Sequence, residues 1–483
     1  MIFHNIKYST FLFLIISFAE IYAQHLTQKL DRYIYEYQKD KNVPSISAGI
    51  SIRGKTYWLN AEGYADIENH VQANPKTIYR IASISKIITA VAVMQLVEKH
   101  KINLDDDARK YIPYFPKKKW KFTIRQILQH TAGLRSYVNQ DEFNSKNYFQ
   151  STEDAVLLIA NDSLMYKPGT KFLYTTLGYN LLAAIIEHVT GLSFWDYLEK
   201  YIFQPAKMFS TKVEYQPEII SNRAHGYERN GFRKLMNAPL ADLSIKYAGG
   251  GLISDSEDLL KFANCLLEGN LIKRYTLDTM LVPTRLPNGQ ILDSGLGFEI
   301  NKDASGRFYF GHLGGGTGFV SLLIIYPEYY LASVDLININ DRDLGKPALD
   351  LANILLNNEY IRPKKSLADK MMEITLAANV DSAFKVFRKI KSDSSAYYNT
   401  DKAEFNNLGY DLIGLKRYSD AVKIFNFLAT EDPADKSGLI GMGNSYYYGG
   451  NIKLALLYFE KALKLDPKNK YILSMVKKLR KGK

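Results

Sequence analysis

The chain opens its ordered pattern with alternation. In Ser45–Ile52 (SISAGISI) apolar residues take turns with small or polar ones, the two-residue period of a strand with one face in a core. Arg53-Gly54-Lys55 supplies a turn and TYWLNAEGYA resumes the extended pattern, so the two runs predict a hairpin. Far along the chain this texture returns, in RFYFGH, GFVSLLIIYP and YLASVDLI, three strand-like runs with short connectors. Between these ends the period is helical. ISKIITAVAVMQLVEKH, directly after Ser83, is apolar on nearly every face and lacks Gly and Pro, which predicts a helix inside a core. LLAAIIEHV (Leu181–Val189) and GLISDSEDLLKFA predict two more helices. In the second, Ser254 and Glu257 have the spacing of a capping box. Strands at both ends with helices between them predict an α+β unit, an antiparallel sheet closed by its first and last strands with helices packed on it.

Past YIRPKKSLADK (Tyr360–Lys370) only the helical period remains, and it repeats. Phe405, Leu408, Gly409, Leu412, Ala421, Phe425 and Pro433 recur 34 residues later as Leu439, Met442, Gly443, Tyr446, Ala455, Phe459 and Pro467. The small residues let two helices approach, and the prolines end the second helix of each unit. In length and pattern this resembles the tetratricopeptide repeat. Ala383, Phe387 and Ile390 mimic the second helix of an earlier, degenerate unit, which is expected to be helical because such units need stacked neighbours. Tyr446, Tyr447 and Tyr448 are expected to pack, with one of them exposed. The expected organisation is residues 1–23, 24–360 and 361–483: a targeting segment, an α+β domain and an all-α repeat domain.

Composition changes this picture little. With 483 residues, 46% hydrophobic and 23% charged, the chain is globular and long enough for two or three domains. Its net charge of +12 sits largely in surface-like runs such as PKKKWK (Pro116–Lys121) and KKLRKGK (Lys477–Lys483), so no nucleic-acid partner is implied. Lys7, the apolar run FLFLIISFA (Phe11–Ala19) and Ala23 before Gln24 read as a signal peptide and cleavage point. That implies export, to a periplasm or outside the cell, with no integral span once the signal is removed. Cys265 is the only cysteine and the eight histidines are scattered, which rules out an intrachain disulfide and a Cys-based zinc site. No metal and no organic cofactor are expected.

The chemistry gathers at RIASISK (Arg80–Lys86). Ser83 would stand at the N-terminus of the apolar helix, where free N–H groups and the helix dipole favour developing negative charge. Lys86 lies one turn on, on the same face. A lysine in that core would lose proton affinity and could act as a base. Ser-x-x-Lys alone is weak, because Ser382-Ala383-Phe384-Lys385 matches it too, inside the degenerate repeat, where Ser382 reads as a helix-start or packing residue. The surroundings separate the two. IYRIASISK, ILQHTAGL, KPGTKFLYTTLGYNLLAAIIE, GGLISDSEDLLKF and GHLGGGTGF follow one another in an order that resembles the serine β-lactamase and penicillin-binding-protein-like hydrolases, nearest their class C and esterase branch.

That resemblance implies an antiparallel sheet with helices and an all-helical subdomain, and an acyl-enzyme mechanism. Ser83 takes the place of the nucleophile, Lys86 of the general-base lysine and Tyr174 of the tyrosine that shuttles its proton. His312-Leu313-Gly314 fills the place of the Lys-Thr-Gly box, and the backbone N–H groups of Ser83 and Gly315 that of the oxyanion hole. Thr176, His312 and Gly314 are the implied substrate contacts. Two positions depart from the pattern. Thr176 stands where the family has an asparagine, with shorter reach and without two amide donors. His312 stands where the family has a lysine, and is mostly neutral at neutral pH. Both departures concern substrate holding, so an esterase or peptidase is expected before an efficient β-lactamase. A literal Tyr-x-Asn occurs at Tyr137-Val138-Asn139 and reads as a decoy. His130 reads as structural, and Gly314–Gly318 as a close backbone approach rather than a phosphate loop. The expected function is hydrolysis of an ester or amide, with the repeats engaging a protein partner. The alternative is an inactive hydrolase fold that serves with its repeats as a binding scaffold.

Overall fold

A computed structural model describes residues 24–341, 344–393 and 397–481; the signal-peptide reading of residues 1–23 lies outside them. The main sheet is built from β1 (Ser45–Ile52), β2 (Lys55–Asp66), β3 (Val71–Gln72), β4 (Glu299–Lys302), β5 (Phe308–Gly316), β6 (Phe319–Tyr326) and β7 (Leu331–Ile337). Their spatial order is β3-β2-β1-β7-β6-β5-β4, antiparallel throughout. The first and last long strands are partners, Ile46 opposite Ile337 and Ile52 opposite Leu331, which closes the sheet as expected. The β1–β2 turn holds Arg53 and Gly54 at φ of 50° and 77°, the left-handed region that a tight hairpin needs.

Alternation along β1 decides what lies on each face. Ile46, Ala48 and Ile50 enter a cluster with the N-terminal helix α1 (residues 24–40) and with α5 (Pro347–Asn357). Ser47, Gly49 and Ser51 face the other way, where α4 (Ser256–Leu267) crosses. Small residues are required there: a Cβ on Gly49 would stand 2.9 Å from Leu260 Cδ1. The hydroxyls are spent locally, Ser47 Oγ on Ser256 Oγ (3.0 Å) and Ser51 Oγ on Asn264 Oδ1 (2.8 Å). In the same core, α2 (Ile84–Glu98) packs on β5 and β6 and against α3 (Tyr179–Thr190). Every residue of α2 from Ile84 to Leu96 is buried, the environment its all-round apolar pattern demands. One expected cap is displaced. Ser254 pairs in a short strand with Tyr79 and bonds Thr211, so α4 starts one residue later, with Asp255 accepting from the Asp258 N–H (2.8 Å).

Beyond residue 366 the described residues are mostly helical, with one two-residue strand at Tyr398–Asn399: α6 (Leu367–Ala377), α7 (Val380–Asp393), α8 (Lys402–Gly414), α9 (Tyr418–Glu431), α10 (Lys436–Tyr448), α11 (Ile452–Leu465) and α12 (Lys470–Lys481). Consecutive helices pack as stacked pairs. The 34-residue spacing has a direct physical cause. A Cβ on Gly409 would fall 2.5 Å from the Phe425 ring, and one on Gly443 would fall 2.9 Å from the Phe459 ring. The earlier unit is helical, with Ala383, Phe387 and Ile390 buried. Tyr446 stacks on Tyr458 at 5.4 Å while Tyr448 is 58% exposed. Among the described residues no helix is long and apolar enough to cross a membrane.

Candidate active site

Ser83 is the N-cap residue of α2, reached from the short strand Tyr79–Arg80. The residue before it, Ala82, is held at φ 43°, a left-handed conformation that a side chain adopts only at a cost, so the surroundings dictate the geometry of this corner. Much of that constraint comes from β5. Its partner β4 pairs only with Phe308–Gly311, which leaves His312–Gly316 free to border the Ser83 corner. A Cβ on Gly314 would stand 2.5 Å from Ile81 O and 3.2 Å from Ser83 N, so no side chain fits between strand and corner. Ser321, opposite Gly314 on β6, donates to the same Ile81 carbonyl at 2.8 Å. Gly315 and Gly316 line the cavity that contains Ser83.

The Lys86 side chain is fully buried and meets three oxygens: Ser83 Oγ at 3.0 Å, Thr176 Oγ1 at 3.1 Å and Gly249 O at 2.5 Å. Burial, reinforced by the nearby Lys246 charge, pushes its pKa well below that of an ordinary lysine, against a weaker opposing pull from Glu299. A neutral amine has two N–H donors and one lone pair. The Gly249 carbonyl can only accept, and Thr176 Oγ1 takes the second N–H. As an ammonium Lys86 donates a third N–H to Ser83 Oγ, and once deprotonated it would turn its lone pair to the Ser83 hydroxyl. Tyr174 completes the arrangement by donating its O–H to Ser83 Oγ at 2.8 Å. Burial raises the Tyr174 pKa, so the phenol keeps its proton and serves as a donor at rest. Thr176 is thus tied to the lysine directly.

His130 supports this group from below. Its Nδ1 accepts from the Thr175 N–H (3.2 Å), which leaves the ring proton on Nε2, and its ring lies 4.4 Å from that of Tyr174. Burial, aided by Lys86 and His312, keeps it neutral. His312 is buried as well, with Nδ1 bonded to Leu313 O at 2.6 Å. Burial, with Lys86 close by, lowers its pKa to about 3, so its 3.7 Å approach to Glu299 is no ion pair at neutral pH. Tyr174 and His312 border one cavity, of about 340 Å³, with Glu299, Asp293 and Lys346 on its walls. A second, narrower cavity on the other flank has Ser83, Thr176, Gly315, Tyr137 and Lys246 as neighbours.

Two of those neighbours escaped sequence reasoning. Tyr137, part of the apparent decoy, does border the Ser83 cavity, although Tyr174 holds the bond to Ser83. Its companion Asn139 only caps the helix Gln140–Phe143. Lys246 is 4% exposed, a buried charge from a segment 163 positions further along than Ser83. The available signal was a lone lysine between apolar residues, just before three glycines, in SIKYAGGG. The other Ser-x-x-Lys goes unused: the Ser382 N–H bonds Asn379 Oδ1 at the start of α7, and Lys385 is exposed.

Comparison with known proteins identifies the family and the fold. A family model described as Beta-lactamase matches residues 30–356, and one described as Tetratricopeptide repeat matches residues 437–469. The mitochondrial serine beta-lactamase-like protein LACTB of Bos taurus is 31% identical over 411 residues, covering 64% of this chain and 74% of its own. Penicillin-binding protein 4* of Bacillus subtilis is 28% identical over 341 residues, with 67% and 75% covered. Among solved structures, the octameric penicillin-binding protein homologue from Pyrococcus abyssi superposes with a TM-score of 0.60 at 26% identity, over 68% of this chain and 77% of that one. A D-amino acid amidase from Ochrobactrum anthropi shares the fold, with a TM-score of 0.59 at 23% identity over 70% and 99%. The chain therefore belongs to the beta-lactamase and penicillin-binding-protein-like family of serine hydrolases, and carries a tetratricopeptide repeat in its C-terminal helices.

Proposed function

We propose that the protein cleaves an ester or amide through an acyl-enzyme on Ser83. The observation that carries this reading is the geometry at Ser83 Oγ, which lies 3.0 Å from Lys86 Nζ and 2.8 Å from the Tyr174 hydroxyl, so one base and one acid meet at one oxygen. Ser83 Oγ attacks the carbonyl carbon as its proton passes to Lys86. The backbone N–H groups of Ser83 and Gly315 receive the oxyanion. Collapse expels the leaving group, which takes the Tyr174 proton, and the Lys86 ammonium, 4.8 Å from the centre of the Tyr174 ring, gives the proton it took from Ser83 to the phenolate. Water then repeats the sequence on the acyl-enzyme and frees the acid.

Substrate holding falls to Thr176, His312 and Gly314. A neutral His312 cannot replace the charge of a lysine, and Thr176 lacks amide donors, so activated esters should be cleaved in preference to penicillins. The chain is proposed to act after export, in a periplasm or outside the cell, with its repeats engaging a protein partner. The test of the nucleophile is an active-site serine probe followed by intact-mass measurement. One adduct should form on the wild type and none on Ser83→Ala. Labelling that survives Ser83→Ala would overturn the assignment.

A further inference from the structure

The narrow cavity beside Ser83 holds polar groups that the mechanism above leaves idle. Among the described residues Lys246 Nζ has one hydrogen-bond acceptor, Phe143 O at 2.6 Å. Its remaining support is the faces of two rings, Phe143 at 4.2 Å and Tyr137 at 5.5 Å. An ammonium has three donors, so two are unassigned, and a buried cation without a carboxylate costs stability. The carboxylate that faces it, Glu214, is engaged by Arg80 through two contacts at 2.8 and 3.2 Å. Tyr137 adds a second idle group. Its hydroxyl is buried without a hydrogen-bond partner of proper geometry, with Thr176 a polar neighbour. Both side chains border the same cavity as Ser83.

The two flanks of Ser83 differ in charge. Tyr174, the proposed donor to the leaving group, borders the cavity where Glu299 and Asp293 outnumber the one cation, Lys346, so a substrate carboxylate is disfavoured there. The Lys246 flank is left to the acyl portion, and there the paired Arg80 and Glu214 leave one cation over. The space is only about 20 Å³, room for about one or two water-sized groups, so only a compact polar group on a short acyl chain can enter it. Resting on the acyl-enzyme reading, we infer that Lys246 and Tyr137 form a subsite for a carboxylate carried by the acyl group, so that the preferred substrates are esters or amides of short dicarboxylic acids.

Protonation fits this role. Burial lowers the Lys246 pKa to about 7, with Arg80 adding to the shift and Glu214 opposing it. The other groups facing it are Lys86 from α2 and the Tyr137 phenol. Preference for an anionic acyl group should therefore be strongest below about pH 7 and fall as Lys246 loses its proton.

The test compares the p-nitrophenyl half-ester of succinate with p-nitrophenyl butyrate, which has the same chain length and no charge. The wild-type ratio of kcat/KM should favour the half-ester by about tenfold or more. In Lys246→Met that ratio should drop by about tenfold to about a hundredfold, in Tyr137→Phe by about threefold, and Lys246→Arg should keep part of it. A ratio unchanged in both Lys246→Met and Tyr137→Phe overturns the subsite. Binding supplies an arm that needs no turnover. The monomethyl ester of succinate should bind the Ser83→Ala protein, detected by saturation-transfer NMR, and more weakly when Lys246→Met is added. Equal binding with and without Lys246 overturns the inference, whatever the fate of the hydrolase reading.

Discussion

Ser83-Ile84-Ser85-Lys86 and Ser382-Ala383-Phe384-Lys385 have the same spacing near the start of a helix, Ser83 as the N-cap of α2 and Ser382 within the first turn of α7, yet they are physically unlike. The first lies at a helix buried on all sides, so its lysine is stripped of water and bonded to the serine at 3.0 Å. The second opens an amphipathic helix whose buried stripe is Val380, Ala383, Phe387 and Ile390, which leaves Lys385 in solvent. A motif two residues wide sets only the distance between side chains. Desolvation sets the chemistry, and it comes from the other elements packed around the helix.

The largest effect should come from breaking one member of this pair. Ser83→Ala should lower kcat/KM on an activated ester by about a thousandfold or more, while Ser382→Ala leaves it unchanged. Kinetics of the two purified variants on one ester reads the outcome. Equal losses would show that burial is not the discriminating feature. Next in size is Gly314→Ala. The added methyl meets Ile81 O and the Ser83 N–H region, so the strand must retreat from the corner and widen the oxyanion site. A loss of about a hundredfold in kcat is expected, the scale of one lost oxyanion donor. Gly315→Ala is the internal control, because a Cβ there meets no atom within 4 Å. Its loss should be clearly smaller.

Desolvation also predicts how stability varies with pH. Lys86 and Lys246 both have folded pKa values below the ordinary 10.5, so the unfolded chain binds the extra proton. Their contribution to stability therefore rises with pH, and for Lys246 the rise runs from about 7 to about 10.5. Each group adds about 1.4 kcal/mol per pH unit within its window. Urea unfolding between about pH 7.5 and about pH 9.5 should give a smaller slope for Lys246→Met than for the wild type. Lys246→Met should also be more stable near neutrality, since it removes a buried charge that lacks a carboxylate partner. Parallel slopes for the two proteins would show that Lys246 is solvated in solution.

Local pattern made much of the architecture legible. The hairpin of β1 and β2, the closing strands, the buried character of α2 and the 34-residue repeat all follow from periods that neighbouring residues carry themselves. Ser83, Lys86 and Tyr174 were legible because the motifs around them come in family order. What stayed hidden depends on contacts across long stretches of chain. Lys246 and Tyr137 reach the Ser83 cavity only when the fold brings their segments together; the lone lysine of SIKYAGGG marks a buried charge but not what it approaches, and SYVNQ marks neither. The misplaced cap has the same origin. Ser254 has capping chemistry, but pairing with Tyr79 claims it for a strand, so Asp255 caps instead.

The smallest effect should come from removing the repeats, and its size would sharpen the contrast between the two regions. The cavities around Ser83 are walled by residues between Ile78 and Lys346, none of them from the helical repeats. The repeats touch the hydrolase domain elsewhere. The hairpin of strands Tyr227–Arg229 and Leu235–Asn237 presents Arg233 to Asp369 and to Asp411 (2.8 Å), and Gly231 to Leu415. The base of that hairpin, Gly226 and Ala238, borders the larger cavity that shares Arg80 and Thr317 with the Ser83 site. A mechanical route to the site therefore exists, but it ends at a wall rather than at a reacting group. Loss of the repeats would leave Arg233 hydrated rather than buried without a partner, so little stability should be forfeited. A chain ending at Pro363 should fold, melt within a few degrees of the full-length protein and keep kcat/KM on an activated ester within about threefold. If it keeps its circular dichroism spectrum yet loses more than about tenfold, the repeats shape the substrate cavity through the hairpin, and the two regions are one functional unit.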